Sequence, residues 1–121
     1  MQRGLTLPWR LAVLLAAARA VGLRGWAVRT ASMAPACPPG SLVLVSRARP
    51  RSLRPGTVVL YQLPGAPPTL HRVVRVDLAQ GRLVAKGDAN AAPDPAPVPL
   101  ACVLGRCVLC LPGAGLPFLQ P

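Results

Sequence analysis

The residues of greatest chemical interest are one serine, one histidine and two aspartates. Ser32 lies in Ser-Met-Ala-Pro, and His71, the single histidine of the 121-residue chain, lies in Thr-Leu-His-Arg-Val-Val. Asp88 and Asp94 follow in one short stretch and are two of the chain's three acidic residues. A serine hydroxyl becomes nucleophilic when a neutral imidazole takes its proton, and a carboxylate then stabilises the imidazolium. The order Ser, His, Asp therefore predicts a nucleophile, a base and an orienting acid.

Acyl transfer also needs hydrogen-bond donors for the oxyanion. The backbone N–H of Ser32 and the hydroxyl of Thr30 are the candidates. Each residue also has a purely structural interpretation: Ser32 as a linker serine, His71 as a packed strand residue, and Asp88 as part of an Asx turn. These alternatives stay open at the level of the residues alone.

Short apolar runs separated by turns must position these groups. Pro-Gly pairs, which mark turns, fall at 39–40, 55–56, 64–65 and 112–113. Between them lie runs with strand length and no helical period. They predict a small, mostly antiparallel β domain, with the last run broken near Gly105 and a loop at 89–99. The predicted strands are 41–45, 57–61, 70–76, 82–86 and 98–111.

The first 29 residues have a different character. Residues 11–18 are an uninterrupted run of Ala, Leu and Val, which favours a helix, but Arg19 interrupts it. The run is shorter than the ~20 apolar residues that span a bilayer. Three interpretations of residues 1–29 remain: a degenerate membrane anchor, a helix lying in the membrane interface, and a signal peptide.

The composition argues against several other classes of chemistry. Three aspartates and one histidine cannot supply a multi-metal site. The net charge of +11 invites a nucleic-acid hypothesis, with residues 47–54 as the densest basic stretch. Only four aromatic residues are present, however, so platforms for base stacking are poor. We therefore expect a solvated basic surface, with attraction to an anionic membrane as the next hypothesis.

Four cysteines leave the redox state open. Cys107 and Cys110 form a C-x-x-C spacing within an apolar run, and Cys37 and Cys102 lie elsewhere. The apolar setting favours cysteines that pack as small hydrophobic residues. A disulfide is the second hypothesis and a zinc site the third, because the lone histidine is far from the C-x-x-C pair.

Six short motifs follow one another in an order that resembles type I signal peptidases. They are Ser-Met-x-Pro, Pro-Gly-Ser-Leu-Val-Leu-Val, Arg-Pro-Gly-Thr-Val-Val, His-Arg-Val-Val, Lys-Gly-Asp-Ala-Asn and Val-Leu-Gly-Arg. More narrowly, the chain is similar to the archaeal and endoplasmic-reticulum branch over residues 30–112. In the other main branch a lysine stands at the position of His71. The only lysine here is Lys86, in the Lys-Gly-Asp motif, so a Ser–Lys dyad is not expected.

The resemblance implies roles for the candidate residues. Ser32 matches the nucleophile, His71 the general base, Asp94 the required second acid, and Asp88 the acid of the Gly-Asp-x-Asn motif. The implied fold is a coiled-sheet, barrel-like β domain at 30–121 after an apolar helix within 1–29.

The resemblance also implies a reaction and its setting. The implied reaction is cleavage of signal peptides from secretory preproteins after small residues, without cofactor or metal. The implied place is the extracytoplasmic face of the cell membrane, with preprotein signal peptides and membrane lipid as partners. Two other hypotheses remain: a catalytically weak or inactive relative that serves as a small binding protein, and an arginine-driven nucleic-acid binder.

Overall fold

A computed structural model describes residues 8–119. Within this range one α-helix, α1 (Trp9–Ala20), precedes seven strands, which confirms the mainly β class. The strands are β1 (Leu23–Ala27), β2 (Leu42–Ser46), β3 (Val58–Tyr61), β4 (Thr69–Asp77), β5 (Arg82–Lys86), β6 (Val98–Pro99) and β7 (Val103–Leu111).

The seven strands form one curled sheet that resembles half of a barrel. Their order is β1-β2-β7-β3-β4-β5-β6, and every neighbouring pair is antiparallel. Strands β3 to β6 follow one another as a meander, and β7 returns to lie between β2 and β3. Because β4 lies beside β3, His71 pairs with Val59 near the middle of the sheet.

Both faces of the central strands are buried. One apolar cluster contains Met33 and Leu60, and a second contains Val59 and Tyr61. Leu60 lies between Val59 and Tyr61 in β3, and alternate side chains of a strand point to opposite faces. This explains why the run Val-Val-Leu-Tyr is continuously apolar rather than alternating: it packs against a core on each side.

The N-terminal helix is shorter than the apolar segment predicted at 1–29. The run 11–18 is helical, but α1 ends at Ala20 and residues 23–27 form β1. Five-residue pairing of β1 with β2 overrides the helix propensity of this stretch. Residues 1–7, which the helix prediction also covered, lie outside the described residues. Among residues 8–119, no helix is long and apolar enough to cross a bilayer.

The predicted strand break near Gly105 is wrong. Gly105 lies buried inside β7, and the break falls earlier, at the 3-10 turn Leu100–Cys102. A Cβ atom at Gly105 would collide with the carbonyl oxygen of Ser46 in β2. The glycine therefore permits close approach of two strands rather than ending one.

A disulfide joins Cys37, in the loop before β2, to Cys110 in β7. The prediction that packing alone accounts for these two cysteines is therefore wrong, whereas Cys102 and Cys107 are free thiols. The pairing was hidden because the partners are separated by 73 residues and meet only through the β2–β7 pairing. The bridge links the loop that follows Ser32 to the sheet.

Replacing Cys110 with Ser should destabilise the fold by about 4 kcal/mol, because the bridge constrains a long loop in the unfolded chain. Urea unfolding under non-reducing conditions measures this free energy, and Cys102→Ser is the control that leaves the bridge intact. An unchanged unfolding midpoint for Cys110→Ser would contradict the prediction.

Candidate active site

Ser32 lies in the loop between β1 and β2, where its neighbours hold it on both sides. Met33 is 1% exposed and packs in the first apolar cluster. The Ser32 carbonyl oxygen accepts a hydrogen bond from the Ala89 N–H at 2.9 Å. The Asp88 N–H points to the Met33 sulfur at 3.4 Å. The loop that carries the hydroxyl is therefore anchored to the segment after β5.

His71 links the Ser32 hydroxyl to the Asp94 carboxylate. His71 belongs to β4 and is 7% exposed. Nε2 is 3.2 Å from Ser32 Oγ, and Nδ1 is 2.7 Å from Asp94 Oδ2. An ionised carboxylate only accepts hydrogen bonds, so we assign the ring proton to Nδ1 and the lone pair to Nε2. In this tautomer the lone pair of the base faces the serine hydroxyl.

Asp94 receives a second donor that the sequence did not reveal. The Tyr61 hydroxyl donates to the same Oδ2 atom at 2.7 Å. Burial, and then the hydrogen bond to Asp94, raise the pKa of the Tyr61 phenol well above its usual value. The phenol therefore remains a donor at neutral pH. Its being the only tyrosine of the chain was the one available signal, and it did not point to Asp94.

The loop that carries Asp94 is fixed by its backbone. The Asp94 N–H donates to the Ala85 carbonyl of β5 at 2.8 Å. Pro93 and Pro95 flank the residue, and proline restricts the backbone on each side. These constraints hold the carboxylate beside His71, near the start of β4.

Gly87 directly follows β5 and lies close to Ser32 and His71. A Cβ atom there would lie 2.7 Å from the Ser32 carbonyl oxygen and 3.1 Å from His71 Nε2. It would also meet the Asn90 side chain. The lack of a side chain at Gly87 is what leaves space for Ser32 and His71 to meet.

The structure does not bring the Asp88 carboxylate to the Ser32–His71 pair. Arg72 binds it in a two-point arrangement, with Nε and Nη2 each 2.9 Å from a carboxylate oxygen. Arg72 also donates to the Gly56 carbonyl at 2.8 Å. Neither carboxylate oxygen of Asp88 bonds Ser32 or His71 within the described chain. The ion pair between Arg72 and Asp88 instead links β4 to the loop after β5.

This ion pair makes a pH-dependent contribution to stability. The hydrogen bonds from Arg72 hold the pKa of the Asp88 carboxyl below its usual value. Its contribution should be complete above the unfolded pKa of about 3.9 and be lost as the pH falls through the lowered folded pKa. Solvent reaches both partners, so we expect no more than about 1 kcal/mol.

Urea unfolding of the wild type and Asp88→Asn at a series of acidic pH values measures this contribution. The gap in unfolding free energy between the two proteins should close as the pH falls. A gap that does not change with pH would show that the charge of Asp88 is not its source.

The predicted oxyanion donors, the Thr30 hydroxyl and the Ser32 N–H, both lie beside the Ser32 hydroxyl. The Thr30 hydroxyl is 3.1 Å from Ser32 Oγ. The Ser32 N–H donates no hydrogen bond to any group in residues 8–119. A free backbone N–H at the nucleophile is suited to a developing negative charge on the substrate oxygen.

An open cleft of about 510 Å³ adjoins the Ser32 hydroxyl. Its walls are mostly apolar. The polar residues that line it are Arg29, Thr30, Ser32, Thr69, His71 and Asn90. The apolar walls belong to β1, the loop before β4 and the core beneath, namely Trp26, Val28, Met33, Pro67, Pro68 and Leu70. Such a cleft suits a short apolar peptide segment whose carbonyl meets Ser32.

Within residues 8–119, no three His, Cys, Asp or Glu side chains come together in a way that could hold a metal ion. The residues that do come together are Ser32, His71, Asp94, Thr30 and Tyr61. A hydroxyl, an imidazole and a carboxylate in this order are the groups that acyl transfer requires.

Comparison of the chain with protein-family models yields no match, and comparison with curated proteins yields none either.

Proposed function

We propose that the protein is a serine endopeptidase with Ser32 as nucleophile, His71 as general base and Asp94 as orienting acid. The observation that carries the proposal is the continuous chain of contacts from Ser32 Oγ through both ring nitrogens of His71 to Asp94 Oδ2. The 3.2 Å contact is at the long end of hydrogen-bond distances, and such contacts tighten when substrate binds.

The reaction proceeds in two halves. Ser32 Oγ attacks the substrate carbonyl carbon while its proton passes to His71 Nε2, and the Ser32 N–H binds the resulting oxyanion. His71 then gives that proton to the leaving amine, the C–N bond breaks, and an acyl ester remains on Ser32. Water attacks the ester through the same base, which releases the acid and restores the hydroxyl. Asp94 stays ionised throughout.

The proposed substrates are signal peptides of secretory preproteins, cut after a small residue on the extracytoplasmic side of the membrane. This part rests on the resemblance of six ordered motifs to type I signal peptidases of the archaeal and endoplasmic-reticulum branch. The curled antiparallel sheet is compatible with the coiled-sheet domain that the resemblance implies. The apolar walls of the cleft beside Ser32 suit the apolar residues near such a cleavage site.

A pair of substrates tests both the reaction and the specificity. The full chain with its disulfide intact is incubated in detergent with a preprotein that has alanine before the scissile bond, and with the same preprotein carrying phenylalanine there. We expect one new N-terminus, found by mass spectrometry, from the alanine substrate only. The Ser32→Ala protein serves as the background control.

Two results would overturn the proposal. Wild-type protein that leaves both preproteins intact would refute the peptidase activity. Cleavage that is equally fast with Ser32→Ala would assign the activity to another residue or to a contaminant. Equal cleavage of both substrates would remove the proposed preference for small residues.

A further inference from the structure

The outer face of α1 is apolar and exposed. Trp9, Val13, Ala16, Ala17 and Ala20 recur at spacings of three and four, which places them on one side of the helix. The two largest residues of this face, Trp9 and Val13, are 71% and 58% exposed. The opposite side, at Ala18, is buried against the sheet. Arg10 and Arg19 border this face, and an exposed apolar patch with a polar rim typically marks an interaction site.

A basic cavity of about 490 Å³ lies beside this helix, between α1, β1 and the C-terminal turn. We call it the arginine cavity, and its lining has a polar part and an apolar part. The polar part is Arg19, Arg24 and Arg29, and the apolar part is Leu15, Trp26 and Phe118. The cavity thus offers guanidinium groups beside aromatic and aliphatic side chains.

In the part of the chain that the structure describes, the arginines of this cavity have no acidic partner. None of the chain's three aspartates lines the cavity. Within residues 8–119, no ion pair or side-chain hydrogen bond involves any of the three arginines. Three like charges in one cavity repel one another, so an anion that enters gains favourable interactions with all of them.

We propose that the arginine cavity and the outer face of α1 together form a binding surface for a membrane that contains anionic phospholipid. The lipid phosphate meets Arg19, Arg24 and Arg29, and the acyl region meets Trp26 and Phe118. The outer face of α1 lies in the apolar part of the interface, with Arg10 and Arg19 at its two edges. This surface does not depend on the proposed peptidase activity.

The combination of features favours lipid over other anions. A nucleic acid needs phosphate contacts along a polar track, whereas this cavity is lined about as much by apolar groups as by arginines. An exposed apolar helix face beside the cavity has no role in phosphate binding to nucleic acid. An amphiphile with a charged head and apolar tail is complementary to both parts of the surface.

Vesicle binding of the full chain tests the proposal. Vesicles of phosphatidylcholine with 30% phosphatidylglycerol are compared with vesicles of phosphatidylcholine alone. Both tryptophans of the chain, Trp9 and Trp26, lie on the proposed surface, so their fluorescence reports directly on insertion. We expect binding and a blue shift of emission with the anionic vesicles, and weakening of binding in high salt.

Two triple variants with the same loss of charge separate this surface from general basicity. Changing Arg19, Arg24 and Arg29 to Gln should weaken binding by about 100-fold, because each arginine near an anionic surface contributes roughly fivefold. Changing the exposed Arg49, Arg51 and Arg54 to Gln should have a much smaller effect. Ser32→Ala should bind as the wild type does, which separates this proposal from the peptidase.

Three outcomes would overturn the proposal. The first is equal weakening in the two triple variants, which would show attraction by net charge alone. The second is binding to vesicles without any change in tryptophan emission. The third is tighter binding to a DNA duplex than to the anionic vesicles, lost in the Arg19, Arg24 and Arg29 variant, which would assign the cavity to nucleic acid.

Discussion

Ser32→Ala is expected to reduce preprotein cleavage to the background rate, a loss on the order of 10⁶-fold in kcat. The alanine variant has no oxygen to attack the substrate carbonyl, so no acyl ester can form. The fold should persist, because the anchors of this loop are the Met33 side chain and the Ser32 carbonyl, both of which remain. The rate of appearance of the new N-terminus measures the loss.

Ser52→Ala is the matched control for this experiment. Ser52 is an exposed serine whose hydroxyl bonds the Arg49 carbonyl in a turn that lies outside the cleft. The control should cleave at the wild-type rate, and circular dichroism should show that both variants are folded. Measurable turnover by a folded Ser32→Ala protein would refute the nucleophile assignment.

Asp94→Asn is expected to lower kcat by about 10⁴-fold while KM changes little. The amide can donate to His71 Nδ1, which turns that nitrogen into an acceptor and places the ring proton on Nε2. Nε2 then cannot take the proton of Ser32. The hydrogen bond from the Asp94 backbone to Ala85 is unaffected by the substitution, so the loop should keep its position.

Asp88→Asn is the matched comparison for Asp94→Asn. Both acids lie in the same short stretch of chain, but the carboxylate of Asp88 is bound by Arg72 rather than His71. We expect its loss of kcat to be at least about 100-fold smaller than that of Asp94→Asn, since it removes a brace and not the orienting acid. Equal losses would show that contact with His71 does not distinguish the two acids.

Much of the sheet could be predicted from local pattern. The strand at 82–86 has the predicted bounds, and those predicted at 41–45, 57–61 and 70–76 differ by one residue at one or both ends, because β-branched runs between Pro-Gly turns specify strands locally. The run at 98–111 instead forms two strands, β6 and β7. Strand β1 could not be predicted in this way. Its Leu-Arg-Gly-Trp-Ala sequence forms a strand only because β2 offers a partner.

The candidate site was predictable in its residue types but not in its contacts. His71 and Asp94 stood out because imidazole and carboxylate groups are scarce in this chain. Ser32 stood out because it lies in Ser-Met-Ala-Pro, between the apolar segment and the β domain. The separation of the two acids into one that meets His71 and one that meets Arg72 depends on the path of the loop after β5. Tyr61 was missed for the same reason, since its contact with Asp94 spans 33 positions along the chain.

Trp26 and Arg29 belong to the walls of both the cleft beside Ser32 and the arginine cavity. These two side chains therefore border both spaces, and we expect a molecule that shifts the Trp26 indole in one space to alter the volume of the other. We therefore expect occupancy of one space to change the affinity of the other. Such coupling is reciprocal. If an occupant of the first space changes the affinity of the second by some factor, an occupant of the second changes the affinity of the first by the same factor.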